Sequence, residues 1–318
     1  QEKTRQFSEM EVKYQSQSKD DLLVQVKQEK KEGNTKFFMY VLLSAVVFLL
    51  LAYSIYLMKK KSKAIYDANL NIEKSSELIR VRNKEIIDSI SYAKKIQDAI
   101  LPPQQVLDNI FTDHFVSYQA KDIVSGDFYW AHKDTASNKV FWASADCTGH
   151  GVPGALMSVI GTIILNEIVI VRHQHSPEQI LNSLSKYLKR YLNKNKNDVS
   201  QDGIELSLCV LDHDNKTLDF SGANRNVLII RNGEIIELKG NKRPIGFDPF
   251  NRETSLFTKE SIPYQKEDSI YTFSDGYTDQ IGGAKKQKYR VGVLKQDLLE
   301  IQQYPMSKQK TLIETNQK

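Results

Sequence analysis

The chain has 318 residues, with 44 lysine and arginine residues against 39 aspartate and glutamate residues, and a formal net charge of +5. The positive excess comes largely from the amino-terminal third and lies beside an apolar segment, which favours contact with anionic lipid and argues against a nucleic-acid-binding surface. The two cysteines exclude a disulfide-stabilised scaffold and agree with a reducing compartment for the carboxyl-terminal part.

The first 36 residues are rich in Lys, Gln, Glu and Ser and have few large apolar positions. Such a segment cannot form a folded domain by itself. Its composition fits a charged helical stalk, the end of a helical sensor domain, or a disordered segment. Because the first residue is Gln1 and not methionine, we expect the chain to be part of a longer protein.

Residues 37–58 form an apolar run without a charged residue. As a helix, this run is long enough to cross a hydrocarbon layer about 30 Å thick. The long polar segment before it argues against a signal peptide, so we predict a single transmembrane helix in the cell membrane. Lysines cluster directly after the run, at positions 59, 60, 61 and 63. The positive-inside rule therefore predicts that the carboxyl-terminal side lies in the cytoplasm.

Residues 59–101 predict a juxtamembrane helix with a coiled-coil pattern. Small or branched apolar residues recur at every seventh position, and charged residues fill the other faces. The repeated positions are Ile65, Ile72, Ile79, Ile86, Ala93 and Ile100. We predict a parallel homodimer through residues 64–101, while polar core positions such as Arg82 leave open a single amphipathic helix packed on the following domain. Pro102 and Pro103 predict the end of this helix.

Residues 103–318 predict an α+β domain. Most of its strand patterns follow one another through turns, with a pair of helices inserted, which favours an antiparallel sandwich covered by helices. Asn232 and Gly233 predict a tight hairpin turn. The predicted strands are 115–120, 127–132, 139–145, 204–211, 217–220, 226–231, 234–238 and 269–274, and the predicted helices are 155–171 and 177–192.

Three aspartates stand at the ends of predicted strands, each close to a glycine: Asp127, Asp146 and Asp275. If these ends meet at one rim of a sheet, the carboxylates offer the oxygen ligands that Mg²⁺ and Mn²⁺ prefer. After Asp146, Gly149 and Gly151 let the backbone approach a ligand closely, and the helix that follows offers free N–H groups to an anion. The pattern predicts metal-assisted chemistry on phosphate.

Four sequence elements give the chain a family resemblance. They are residues 125–129, 145–153, 220–224 and 272–279. In this order they resemble the signatures of SpoIIE-type serine phosphatases, which belong to the metal-dependent PPM protein phosphatases. The most specific element is Asp-x-x-Gly-His-Gly at residues 146–151.

The resemblance implies a four-layer α-β-β-α sandwich over residues 103–318, with two Mn²⁺ or Mg²⁺ ions. It implies that Asp146 bridges the two ions and is catalytic, that Asp127 and Asp275 are further metal ligands, and that the backbone carbonyl of Cys147 lies near a metal. Water activated by the two ions would hydrolyse phosphoserine or phosphothreonine directly. The implied substrate is a regulatory protein, often of the anti-sigma antagonist type.

The carboxyl-terminal sequence departs from this family pattern. Members usually close with a paired-aspartate motif on a last strand, and one of its carboxylates completes the metal site. No such pair follows Ile313 before Lys318. We therefore expect a phosphatase domain without its last strand and with weak metal binding. The alternative function is a non-catalytic signalling adaptor that uses a truncated phosphatase fold to bind a protein.

Two further positions are candidates for substrate contact. His150, between two glycines, is predicted as a catalytic residue that contacts the substrate phosphate or donates a proton, the alternative being a histidine that only shapes the turn. Arg225, after Asn224, would hold phosphate or else lie on the surface.

The remaining acidic and sulfur-containing candidates are weaker. Asp202 lies near the metals or caps a turn, and Asp279 is predicted to cap the turn after Asp275. Cys147 and Cys209, with two nearby histidines, have zinc-like spacing, but Cys209 lies in an apolar strand, which favours a buried thiol.

Overall fold

The computed structural model describes residues 2–192, 201–247, 255–282 and 287–316. Its contacts divide the chain into two compact units, Gln1–Asn83 and Lys84–Lys318. The first unit is helical, and the second contains the strands of the described residues.

The described residues contain helices and strands in an α+β arrangement. The helices are α1 (Glu2–Ile100), α2 (Gln104–Ile110), α3 (Gly151–Asn166), α4 (Pro177–Leu192), α5 (Asp275–Thr278), α6 (Arg290–Ile301) and α7 (Met306–Asn316), and a π-helical turn at Glu167–Val171 continues α3. The strands are β1 (Phe128–Asp134), β2 (Lys139–Cys147), β3 (Gly203–Asp212), β4 (Thr217–Ala223), β5 (Val227–Arg231), β6 (Glu234–Leu238), β7 (Ile245–Gly246), β8 (Glu260–Pro263), β9 (Ser269–Thr272), β10 (Ile281–Gly282) and β11 (Gln287–Lys288).

Helix α1 contains both the apolar run and the heptad pattern. Two helical segments, within Phe7–Ile110 and Gly151–Val171, are long and apolar enough to cross a membrane by length and composition. Over half of the apolar window in the second segment is buried, as in a core helix, whereas no residue of the first window is buried. The helix ends at Ile100, directly before the region where Pro102 and Pro103 predict a stop.

Two antiparallel sheets form the second unit. The larger has the strand order β1-β2-β3-β4-β8, with β7 paired to the start of β3, and the smaller has the order β6-β5-β9. Asn232 and Gly233 have positive φ angles of 51° and 81°, as the predicted hairpin turn between β5 and β6 requires.

Three apolar clusters lie on different faces of these sheets. The first joins the larger sheet to α3 and α4 and includes Phe141, Leu165 and Leu184. The second joins residues of β3 and β4 to residues of β5 and β6. The third joins β5 and β9 to α6 and α7. Each sheet thus contacts helices through one cluster and the other sheet through the second cluster.

The prediction of a strand at residues 115–120 is wrong. This segment has no regular secondary structure, although its aromatic residues pack as a strand's would. Phe115 contacts the cluster of α6 and α7, and the hydroxyl of Tyr118 donates to the carbonyl of Asp127 at 3.1 Å. An alternating apolar pattern reports which side chains are buried, but it does not report whether the backbone finds a partner strand.

Candidate metal centre

The pairing of β2 with β3 brings two acidic residues together at one end of the larger sheet. Asp146 is the second-last residue of β2, and it lies directly opposite Glu205 of β3. Its neighbours Ala145 and Cys147 are buried in the core. Since side chains alternate along a strand, Asp146 faces away from that core.

A third acidic residue reaches the same place from the smaller sheet. Asp275 begins α5, shortly after β9 ends. One carboxylate oxygen from each of Asp146, Glu205 and Asp275 lies within 4.8 Å of the other two. We call these three residues and Asp127 the carboxylate centre.

Asp127, the residue directly before β1, is the fourth member of this centre. Its Oδ2 accepts a hydrogen bond from the hydroxyl of Ser274 at 2.6 Å, and its charge acts on the carboxyl group of Asp146. The structure thus brings together the three aspartates that the strand-end pattern singled out.

The guanidinium group of Arg225 lies among these carboxylates. Its Nη2 atom is 2.7 Å from Oδ2 of Asp146, 2.7 Å from Oε2 of Glu205 and 2.9 Å from Oδ2 of Asp275. One cation therefore faces three anionic side chains through a single nitrogen atom. Its Nε atom is buried and has no hydrogen-bond partner among the described residues.

Close backbone packing fixes the position of Arg225. A Cβ atom at Gly222 would lie 2.1 Å from the Arg225 carbonyl oxygen, and one at Gly240 would lie 2.3 Å from the same atom. The preceding Asn224, at a positive φ of 55°, donates from Nδ2 to Glu205 at 2.8 Å. The segment after β4 is therefore built so that its side chains reach the carboxylate centre.

The loop after Asp146 packs just as closely. A Cβ atom at Gly126 would lie 2.9 Å from the carbonyl oxygen of Gly149, and one at Gly154 would lie 2.5 Å from it. Gly149 and Gly151 have positive φ angles of 91° and 64°, which only glycine adopts at little cost. These glycines hold the loop between β2 and α3 against the residue before Asp127.

Replacement of Gly154 by alanine is expected to destabilise the folded domain by about 2 kcal/mol, because the backbone oxygen that the new methyl group meets cannot move aside freely. Gly292→Ala is the matched control, since a Cβ atom at this α6 position meets nothing within 4 Å and alanine favours helix. Urea unfolding of both variants measures the difference. Equal stability of the two would show that the loop yields without cost.

The crowding of acids changes the protonation of Asp146. Burial, and then the negative charge of Asp127, raise the pKa of Asp146 to about 8, although Arg225 partly offsets this. The four carboxylates of the centre have one guanidinium close by, which contacts three of them, so the centre lacks positive charge. Divalent cations would supply it, and carboxylate oxygens are the ligands that Mg²⁺ and Mn²⁺ prefer. The residues present therefore fit a divalent metal site.

This raised pKa predicts how the stability of the metal-free chain depends on pH. The folded state keeps a proton on Asp146 that the unfolded chain releases near pH 4, so the stabilisation is full below that pH and is lost as the pH rises through about 8. Thermal unfolding in EDTA should show a midpoint that falls as the pH rises from about 4 to about 8 and then levels off. Mn²⁺ should raise the midpoint most at the alkaline end, because its binding displaces the proton. A profile in Asp146→Asn identical to that of the wild type would contradict this assignment.

Two predicted site residues lie elsewhere than in the carboxylate centre. The Cys147 thiol is buried in the apolar core, and burial raises its pKa well above the usual range, so only its backbone carbonyl remains a candidate metal ligand. His150 stands before α3 with its side chain 88% exposed, and its Nδ1 is 3.7 Å from Oδ2 of Asp122. Within the part of the chain that the structure describes, no hydrogen bond or ion pair joins it to the carboxylate centre.

The weaker candidates also have definite positions. Asp279 follows the last residue of α5, where its backbone N–H donates to the carbonyl of Asp275, and its side chain pairs with Lys288 at 2.7 Å. Asp202 adds its charge to those around the thiol of Cys147. Cys209 is buried in the cluster between the two sheets, whereas Cys147 belongs to the cluster under α3 and α4, so the two thiols do not form one zinc site.

Sequence reasoning missed Glu205 and Ser274. Glu205 is a charged residue within a strand whose other residues are mostly buried. An acidic residue in such an apolar strand was the sequence feature that could have indicated a site residue. Ser274 lies between a strand and Asp275, but nothing in the sequence shows that its hydroxyl reaches Asp127.

Residues 136–311 match the family model of stage II sporulation protein E (SpoIIE). This match covers more than half of the chain. The chain belongs to the SpoIIE family. Its resemblance to these phosphatases, drawn from four short elements, is thereby confirmed, and its α+β fold is that of a PP2C-type phosphatase domain.

One solved structure supports the PP2C-type fold of this chain. The SiaA-PP2C domain of Pseudomonas aeruginosa is 26% identical over 74% of this chain and 90% of that chain, with a TM-score of 0.65. The PP2C phosphatase domain of SpoIIE from Bacillus subtilis, with a fragment of its regulatory domain, is 18% identical over 59% of this chain and 53% of that chain, with a TM-score of 0.47. No curated protein sequence matches significantly.

Proposed function

We propose that this SpoIIE-family protein is a membrane-anchored, metal-dependent protein serine/threonine phosphatase that acts on a phosphorylated regulatory protein. The observation that carries the proposal is the carboxylate centre, in which three acidic residues from β2, β3 and α5 place oxygen atoms within 4.8 Å of one another. Such convergence from separate elements is typical of a site and not of a solvated acidic surface.

The residues of the centre have separate roles in this proposal. Asp127, Asp146 and Asp275 hold two Mn²⁺ or Mg²⁺ ions, and the carbonyl of Cys147 is a further candidate ligand. When bound, these ions supply an activated water for attack on phosphorus and neutralise phosphoryl charge. Glu205, which accepts a hydrogen bond from Asn224, keeps the start of β3 and the segment after β4 in place.

Arg225 and the start of α3 would bind the phosphoryl group. The buried Nε of Arg225 donates to no atom of the described residues, and a guanidinium group binds phosphate oxygens through two parallel hydrogen bonds. The first N–H groups of α3 have no partner within the helix and favour an anion. His150, exposed before this helix, would act as a proton donor or as a contact to the substrate.

In this proposal, the segments before the phosphatase domain anchor the protein in the membrane and join two chains into a dimer. Residues 37–58 span the membrane, residues 1–36 precede it, and residues 59–101 form the juxtamembrane helix. Support comes from the exposed apolar window of α1 and from the heptad pattern, whose apolar positions through Ile86 are exposed. Exposed apolar side chains at heptad spacing favour a parallel homodimer through residues 64–101.

The rate of disulfide crosslinking between Ile72→Cys chains in membranes tests this dimer. Lys74→Cys, which lies outside the heptad seam, is the control. If Ile72→Cys chains crosslink no faster than Lys74→Cys chains, the dimer is excluded.

The layered arrangement implied by the family resemblance belongs to the same proposal. The apolar cluster between β3–β4 and β5–β6, together with the helices that cover each sheet, supports an α-β-β-α order over residues 103–318.

Release of phosphate from a phosphoserine peptide by the full chain tests the function. We expect no release in EDTA and a return of activity on addition of excess Mn²⁺, because the centre depends on divalent cations. The rate of phosphate release from this peptide is then compared with the rate from a regulatory protein that carries one phosphoserine. A folded chain that binds Mn²⁺ but releases no phosphate from several phosphoproteins would favour the non-catalytic adaptor.

A further inference from the structure

A second group of metal-ligating side chains lies at the far end of β1 from the carboxylate centre. The ligand atoms of Asp134, His173 and His175 lie within 4.8 Å of one another. Asp134 is the last of the seven residues of β1, a strand that spans about 20 Å. The two histidines follow the π-helical turn that continues α3. Two segments distant in sequence thus bring two imidazoles and a carboxylate together.

The contact between His175 and Asp134 does not have the geometry of a hydrogen bond. Nε2 of His175 is 2.9 Å from Oδ2 of Asp134, yet this buried nitrogen makes no hydrogen bond within the described residues. Two ligand atoms that each lie about 2.1 Å from one tetrahedral ion are about 3.4 Å apart, so a small movement of either side chain would let both bind one ion. An ion would give Nε2 of His175 a partner with suitable geometry, which the described residues do not supply.

The other two ligands have the required chemistry. Asp134 accepts hydrogen bonds from Ala136 N at 3.0 Å and Ser137 Oγ at 2.6 Å, and the bond from Ser137 lowers the pKa of Asp134, so the group is an anion. These bonds use about two of its four lone-pair sites. His173 has a positive φ of 52°, and its exposed ring lies 6.5 Å from the ring of His175.

We propose that Asp134, His173 and His175 bind a transition-metal ion of the Zn²⁺ type, at a site separate from the carboxylate centre. Imidazole nitrogen suits Zn²⁺ and its neighbours, whereas an all-oxygen set suits Mg²⁺ and Mn²⁺. The ion joins the segment after α3 to the hairpin between β1 and β2. The three side chains fill three of the four positions of a tetrahedral ion. Because His173 is exposed, the fourth position is open to solvent.

Calorimetric titration of the full chain with Zn²⁺ in excess Mn²⁺ tests this site, and the electron paramagnetic resonance spectrum of bound Cu²⁺ reports imidazole nitrogen. We expect one Zn²⁺ equivalent and nitrogen coupling in the wild type. His173→Ala should weaken this binding at least about tenfold, while Asp146→Asn should leave it unchanged. His213→Ala is the matched control, since the ring of that half-buried histidine hydrogen-bonds the hydroxyl of Tyr264. Wild-type Zn²⁺ binding in His173→Ala, or a Cu²⁺ spectrum without nitrogen coupling, would exclude the site.

Discussion

Asp146→Asn is expected to lower Mn²⁺-dependent phosphate release by on the order of 10³-fold and to weaken Mn²⁺ binding by about 10- to 100-fold. A carboxylate oxygen of Asp146 lies within 4.8 Å of oxygen atoms of Glu205 and Asp275, and a neutral amide there offers a divalent cation one weak oxygen ligand in place of a charged carboxylate. Steady-state phosphate release and calorimetric Mn²⁺ titration measure the two effects.

The same substitution should stabilise the metal-free chain. Asp146 is an acid whose ionised form is opposed by burial and by Asp127, so the amide removes an unfavourable charge. Above pH 8 we expect a gain of about 2 kcal/mol, kept small by solvent screening. Asp214→Asn is the control, since Asp214 is exposed in the turn between β3 and β4 and hydrogen-bonds Asn138 and Asp212 there. A variant that loses both activity and metal-free stability would indicate that Asp146 is needed for folding and not for metal binding.

Arg225→Ala is expected to change metal binding and activity in opposite directions. The guanidinium group lies within 2.9 Å of oxygen atoms on Asp146, Glu205 and Asp275, where it competes with a bound cation for the same oxygens. Its removal should tighten Mn²⁺ binding about tenfold, because the cation no longer displaces a positive charge. Phosphate release should fall about 10- to 100-fold, because the proposed phosphate contact is lost.

Two further variants separate charge from geometry in this result. Arg225→Lys keeps the positive charge but not the paired donors, so it should restore wild-type Mn²⁺ affinity with little recovery of activity. Arg231→Ala removes an arginine that pairs with Asp268 at 2.7 Å, and it should cost stability alone. A parallel loss of Mn²⁺ affinity and activity in Arg225→Ala would show that Arg225 only supports the folded centre.

Much of the fold follows from local patterns in the sequence. Alternation and turn residues place the strands from β1 to β6 and the β5–β6 hairpin within a few residues of their observed bounds, because apolar spacing and turn chemistry act over short distances. The short strands β7, β8, β10 and β11 carry too few residues for such a pattern. Residues 115–120 show the opposite failure, since their apolar side chains are half-buried without strand pairing.

The sequence by itself determined three members of the carboxylate centre. Asp127, Asp146 and Asp275 each lie at or beside the end of an element and close to a glycine, and this local feature can be read without knowing how the elements pack. The same sequence also determined the apolar run at residues 37–58 and the end of α1 before Pro102.

Only the tertiary structure decided the charge balance of the centre. Glu205 enters because the register of β3 places it opposite Asp146, and Arg225 enters because Gly222 and Gly240 enclose its carbonyl oxygen. Strand register and backbone contact depend on residues that are far apart along the chain, so no local pattern reports them. Cys147 and Cys209 have similar spacings to a nearby histidine, and the local sequence alone therefore allows one zinc site. In the folded domain they pack in different apolar clusters and cannot share a metal.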